Sequence, residues 1–336
     1  MKHLYLYFPL LFTLCAAGTV SAQMLPDSTV QVVAYWDVGD KMDYTYIERK
    51  YEMDAEGNET QVSSSSETFH FEVVAATDNT YTLEIRCDDL FDTDLLFKLT
   101  PEERARLKNE VPYRIKTTDL GTYLALENLD EITAEVRDGL PVIARAAWRN
   151  LEPEQRESIS EKQLESYLMT TLASPEALSR LCTEEVSPLF FYHGARLDTT
   201  KTYVFSQPYQ NIIGNGSTTL ESSFRVDPEL TDDYSVVIRK TTRGDEELVP
   251  LVRDYLFELV RNAAPDAVPD YDAFIKELEE DLRENPITAS FEEFITEEIH
   301  LDSGWPIQWL FDRYVEFSQG DDYQGVHVLR EIRLEE

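Results

Sequence analysis

From Tyr81 to Cys87 apolar and polar residues alternate without a break. Tyr81, Leu83, Ile85 and Cys87 fall on one side, Thr82, Glu84 and Arg86 on the other. A strand sends successive side chains to opposite faces, so this period of two demands a sheet with one face on a core and the other in water. The same period runs through Val33 and Tyr35, then Tyr44 and Tyr46 as far as Met53, then Phe69, Phe71 and Val73. Turn residues separate these runs at Asp54–Asn58 and Thr77–Asn79, where Gly57 and the Asn residues tolerate positive φ. The block predicts an antiparallel meander.

Strand character returns at 111–116, 123–128, 201–209, 217–226, 234–242, 305–317 and 324–334. Thr288–His300 fits neither period cleanly. Between the strand blocks the apolar spacing changes to three and four. Ile132, Val136, Ile143, Ala147 and Leu151, then Leu164, Tyr167, Leu168 and Leu172, mark helices, with Gly139 and Pro141 expected to interrupt the first. Thr100-Pro101 starts a short helix over 101–109, and Ser174-Pro175 starts another. Residues 245–263 form a helix, and Tyr271–Leu282 a shorter one with Phe274, Ile275 and Leu278 turned inward. The pattern reads as α+β: one curved antiparallel sheet, an open half-barrel, with helical insertions at about 129–195 and 245–283 packed on one face. No linker or tandem repeat divides residues 23–336, which are read as a single domain.

Charge narrows the partners. The 336 residues hold 65 Asp and Glu against 30 Lys and Arg, a formal net charge of −35. Phosphate backbones and anionic bilayers repel such a chain, so nucleic acid and membrane surfaces are disfavoured. Met1-Lys2-His3, the apolar run Leu4–Ala17 and the small residues Val20-Ser21-Ala22 read as a signal peptide, residues 1–22, cleaved before Gln23. Leu14 and Phe12 are too large for lipid attachment at Cys15. The run is too short for a membrane anchor, and no later run would span a bilayer. The chain is therefore expected to be exported, periplasmic or extracellular. Loss of the leader leaves Cys87 and Cys182, which either pair in an oxidising compartment or stay as buried thiols.

No compact catalytic motif is present. Asp302-Ser303-Gly304 resembles half of an aspartic-protease signature, but Trp305 follows it and no second copy exists, so a turn is expected. No nucleophile elbow, phosphate loop or paired metal-binding histidines occur, and no cofactor or metal is expected. Asp88, Asp89, Asp92 and Asp94 lack the glycine and the terminal Glu of a calcium loop and read as a solvated turn. Tyr44, Tyr46, Phe69, Phe71, Tyr81, Trp305, Trp309 and Phe311 lie on expected strands. They either line a concave apolar surface or form ordinary core between sheet and helices.

Three stretches carry a resemblance: Trp36-Asp-Val-Gly-Asp-Lys-Met-Asp-Tyr44, Leu120-Gly-Thr-Tyr-Leu-Ala-Leu-Glu-Asn128 and Leu301-Asp-Ser-Gly-Trp-Pro306. Together they resemble an uncharacterised family of exported Gram-negative envelope proteins. Some of its members resemble the open half-barrel sheets of periplasmic lipoprotein carriers. The resemblance implies a fold and no catalytic residues. The leading expectation is a soluble, non-enzymatic binding protein that takes an apolar ligand or an envelope protein on a concave sheet face. The alternatives are an extracytoplasmic hydrolase using dispersed carboxylates, and a structural protein of the cell surface.

Overall fold

A computed structural model describes residues 27–87, 98–107, 110–184, 186–210, 216–245, 248–263 and 271–335. The expected leader, the acidic run at 88–94 and the side chain of Cys182 lie outside the described residues. Cys87 is buried on the sheet.

The core of the architecture is an antiparallel sheet of 11 strands with unpaired edges. A short ribbon, β1 (Thr29–Gln31) on β7 (Arg196–Asp198), stands apart from it. From one edge to the other the sheet runs β6 (Tyr123–Leu126), β5 (Tyr113–Thr118), β4 (Thr80–Cys87), β3 (Glu59–Ala76), β2 (Lys41–Met53), β13 (Asp322–Leu334), β12 (Pro306–Gln319), β11 (Thr288–His300), β10 (Ser235–Gly244), β9 (Ser217–Val226) and β8 (Thr202–Gln210). The chain thus starts at the middle, walks out to one edge, and returns from the other. Strands from the two ends of the sequence meet there, with Tyr46 opposite Ile332. On the edge strand β8, Pro208 removes a ladder donor, which blunts the edge against further pairing.

A short helix α1 (Pro101–Arg104) lies between β4 and β5; α2 (Leu129–Asn150), α3 (Pro153–Ser158), α4 (Glu161–Thr171), α5 (Pro175–Glu184) and a 3-10 turn (Ser187–Phe190) fill the excursion between the two halves; α6 (Val249–Ala263) and α7 (Tyr271–Glu284) follow between β10 and β11. Ile132, Val136, Leu140 and Ile143 of α2, with Leu168 and Leu178, pack on Tyr44, Phe71, Leu83, Ile85 and Ile115 of the sheet. A second cover, Leu248 and Val252, packs farther along the same face on Leu220, Ala289 and Phe291. No helix among the described residues is long and apolar enough to cross a membrane.

Several expectations are corrected. Gly139 and Pro141 do not break the first helix, because α2 runs through both. Its continuous buried face outweighs the one backbone bond that proline removes. At Gly139 the bare backbone lets Leu107 approach, where a Cβ would sit 3.2 Å from its methyl. The stretch holding Val33 and Tyr35 is extended but joins no ladder. Its amides at Val32, Ala34 and Tyr35 donate to Ala195, Leu120 and Ser303, three separate loops. The helix at Thr100 closes after one turn, though its capping box forms as expected. Phe274 is exposed at 38% rather than turned inward.

Asp302-Ser303-Gly304 is a turn between β11 and β12. Ser303 Oγ accepts from Trp305 N at 3.2 Å. Gly304 sits at φ +72°, and a Cβ there would collide with the Val33 carbonyl oxygen. Gly304→Ala should therefore lose about 2 kcal/mol of stability, the scale of left-handed strain in a non-glycine residue. Urea unfolding of the two proteins measures it.

Candidate functional site

Cross-strand register turns the helix-covered face into rows of neighbours. One row reads Tyr46, Ile332, Trp309, Glu297, Ile238 and Val226 across β2, β13, β12, β11, β10 and β9. The next reads Glu48, Arg330, Phe311, Ile295, Lys240, Phe224 and Tyr203. The one after it reads Val328, Arg313, Glu293, Thr242, Ser222 and Phe205. The first row is apolar apart from Glu297. The other two carry charge in the middle of the sheet, beside the apolar Phe311, Ile295 and Val328 that join the α2 cluster.

Glu293 anchors this strip. Its side chain is only 4% exposed. Arg313 donates to Oε2 from Nη2 at 2.7 Å and from Nε at 3.2 Å. Tyr209 Oη donates to Oε1 at 2.7 Å, and Lys240 Nζ lies 3.9 Å away. Tyr209 also meets Thr242 Oγ1, which meets Ser222 Oγ. Burial pushes the Tyr209 phenol up to about 12, and the Glu293 charge adds to the shift. Burial also holds the Lys240 ammonium below its ordinary range, Glu293 opposing and Arg313 assisting.

The two guanidiniums, Arg313 and Arg330, are partly open to solvent and lie on aromatic rings. Arg313 stands 4.6 Å from the Phe311 centroid and Arg330 5.5 Å from it. Arg330 donates to Glu48 at 2.6 Å. Toward the β8 edge the strip becomes aromatic, with Tyr203 stacked on Phe224 at 4.6 Å and Phe205 beside them. The arrangement is amphipathic: two guanidiniums and an ammonium at one end, half-buried rings at the other. It offers an anion charge-assisted hydrogen bonds in a part-desolvated setting.

The aromatics singled out in the sequence are elsewhere. Tyr44, Tyr46, Phe69, Phe71, Trp305 and Trp309 are all buried and share one core cluster with α2 and the 3-10 turn, and Tyr81 packs against that cluster. Trp305 stacks on Trp36 at 4.6 Å, and Trp36 lies 5.2 Å from Tyr81. Tyr44 Oη donates to the Pro306 carbonyl, and burial drives its ionisation far above the ordinary phenol range. Of the residues named beforehand only Phe311 reaches the strip.

Arg313, Glu293, Lys240 and Tyr209 were missed. Charged residues at the inward register of a strand would have revealed them, a signal usable only once each strand's inward face is known. The two buried glutamates of β11, Glu293 and Glu297, are four residues apart, or about 13 Å along an extended strand. Among the described residues no group of His, Cys, Asp and Glu is arranged to hold a metal ion.

No family model matches the chain, and no curated protein does. Solved structures give distant likenesses. A lipovitellin structure concerned with lipid–protein interactions is 10% identical with a TM-score of 0.35, over 89% of this chain and 25% of that one. A loop-deletion mutant of the outer membrane protein OmpT of Vibrio cholerae is 8% identical with a TM-score of 0.22, over 89% of this chain and 100% of the other. An outer membrane channel from Pseudomonas putida F1 is 8% identical with a TM-score of 0.16, over 90% and 98%. The chain spans about a quarter of the lipovitellin chain. At these scores the likenesses carry no functional argument.

Proposed function

We propose that this chain is an exported, non-enzymatic binding protein whose single unit folds its sheet as an open half-barrel. Its ligand lies on the inner face, in the strip between the two helical covers. The ligand has an apolar body and an anionic end. The observation that carries this reading is Arg313, held between the Phe311 ring and Glu293 with 35% of its side chain still open. In a chain of net charge −35, the three cations of this strip outnumber its two paired carboxylates, Glu48 and Glu293, and so favour an anion there over the rest of the surface. The half-buried rings of Phe224, Tyr203 and Phe205 supply the apolar wall. An apolar ligand on Tyr44, Phe71 and Trp305 has less support, since the protein's own helices fill that space.

Calorimetric titration below micellar concentrations tests the reading. Dodecyl phosphate should bind saturably and more tightly than dodecanol or dodecyltrimethylammonium. Arg330→Gln should weaken dodecyl phosphate about tenfold, the effect of losing one charge-assisted contact. Equal affinity for the three head groups, or no saturable binding of the phosphate, overturns the proposal.

A further inference from the structure

We infer that the segment 187–194 is a proton-coupled latch over the sheet, closed while Glu297 carries a proton and His193 does not. The inference is independent of the ligand proposed above. The segment holds the 3-10 turn and then Tyr192, His193 and Gly194. It ties the helical cover to the ribbon β1–β7, and Gly194 N donates to Val32 O at 2.8 Å. Leu189 and Phe190 join the large aromatic cluster, while Tyr192 joins the neighbouring one with Val226, Ile238 and Ile299. Closing the segment thus seals two cores at once.

The segment closes on two unpaired polar groups. Glu297 is 1% exposed, and neither carboxyl oxygen has a hydrogen-bond partner. Trp309 of β12 and Ile238 of β10 flank it, and Ile295 and Ile299 precede and follow it on its own face of β11. From the segment itself it is faced by Tyr192, whose ionisation is disfavoured first by burial and then by Glu297. Lys240, two residues along β10 from Ile238, is turned to Glu293. Among the described residues no cation therefore compensates Glu297, and burial raises it well above the carboxylate range.

His193 is buried among Trp36, Phe190 and the Gly121 backbone. Its Nε2–H donates to Gly304 O at 2.7 Å, and Nδ1 has no partner. The titratable group on that side is Tyr81, which packs on Trp36 and is itself shifted up by burial. Burial brings His193 down to about 4 from 6.5, the Gly304 bond opposing.

The signs follow by linkage. Opening frees His193 to bind a proton between about pH 4 and 6.5, so there His193 makes opening rarer as pH rises. Opening frees Glu297 to release its proton above its ordinary 4.5, so Glu297 makes opening more frequent as pH rises. Between pH 4.5 and 6.5 the two effects oppose each other. Above that window Glu297 acts alone, and the opening constant grows by up to about tenfold per pH unit.

Amide hydrogen exchange on the intact chain, corrected for intrinsic rates, tests this. Amides of 189–195 should exchange at a pH-independent opening constant from pH 4.5 to 6.5 and open progressively above it, while those of β3 and β4 stay protected. Glu297→Gln should abolish the rise. His193→Gln should extend it down to pH 4.5. If that variant misfolds, Glu297→Gln alone decides. No rise in the native chain, a rise that survives Glu297→Gln, or β3 exchanging in step overturns the latch.

Discussion

Trp305→Ala should lower unfolding stability by about 3–5 kcal/mol, the range for removing a buried large aromatic. Trp305 is 1% exposed, stacks on Trp36 and belongs to the cluster that α2, α4 and α5 cover. The loss combines apolar transfer with a cavity that the surrounding strands can close only in part. Denaturant midpoints with unchanged slope measure it. Tyr167→Ala on α4, where the ring is 61% exposed, is the control and should change stability by less than about 0.5 kcal/mol. A wall built for a ligand would show the opposite order, with Trp305 dispensable in the empty protein.

Glu293→Ala should also cost about 3–5 kcal/mol, for a different reason. Arg313, Tyr209 and Lys240 all turn to this one carboxylate, which is almost completely buried. Removing it leaves part-buried cations without compensation, and that desolvation penalty exceeds the net worth of the pair. Arg313→Ala in the same background should recover part of the loss. A double-mutant cycle should give a coupling of roughly 0.5–3 kcal/mol. Additive losses would mean that the two side chains act separately.

Much of the sheet was legible because period two survives wherever one face is packed and the other is wet. Tyr81–Cys87 and Tyr44–Tyr46 are of this kind. Thr288–His300 was not legible, and its structure explains why. Its inward register reads Ala289, Phe291, Glu293, Ile295, Glu297 and Ile299, so two glutamates stand where apolar residues belong. The residues that hid the strand are the ones that carry the candidate site and the latch. Sequence spacing showed equally little of the β2–β13 pairing, which joins the two ends of the chain through the register of Tyr46 and Ile332. Without that pairing, Arg330 and Glu48 look like any solvated surface charges. All the aromatic residues singled out but Trp305, which stands one residue before β12, lie in the expected strands, but their choice between core and cavity depends on what covers them. That cover is α2, whose course through Gly139 and Pro141 is set by packing against the sheet.

The proposed ligand sits on the charged strip and not among the buried aromatics. Native mass spectrometry of the chain, released from its producing cells without detergent, tests this placement most directly. The wild-type protein should carry an amphiphile adduct that is lost on organic extraction and that falls in occupancy in Arg330→Gln. A bare protein mass that also shows no dodecyl phosphate adduct on titration would contradict it.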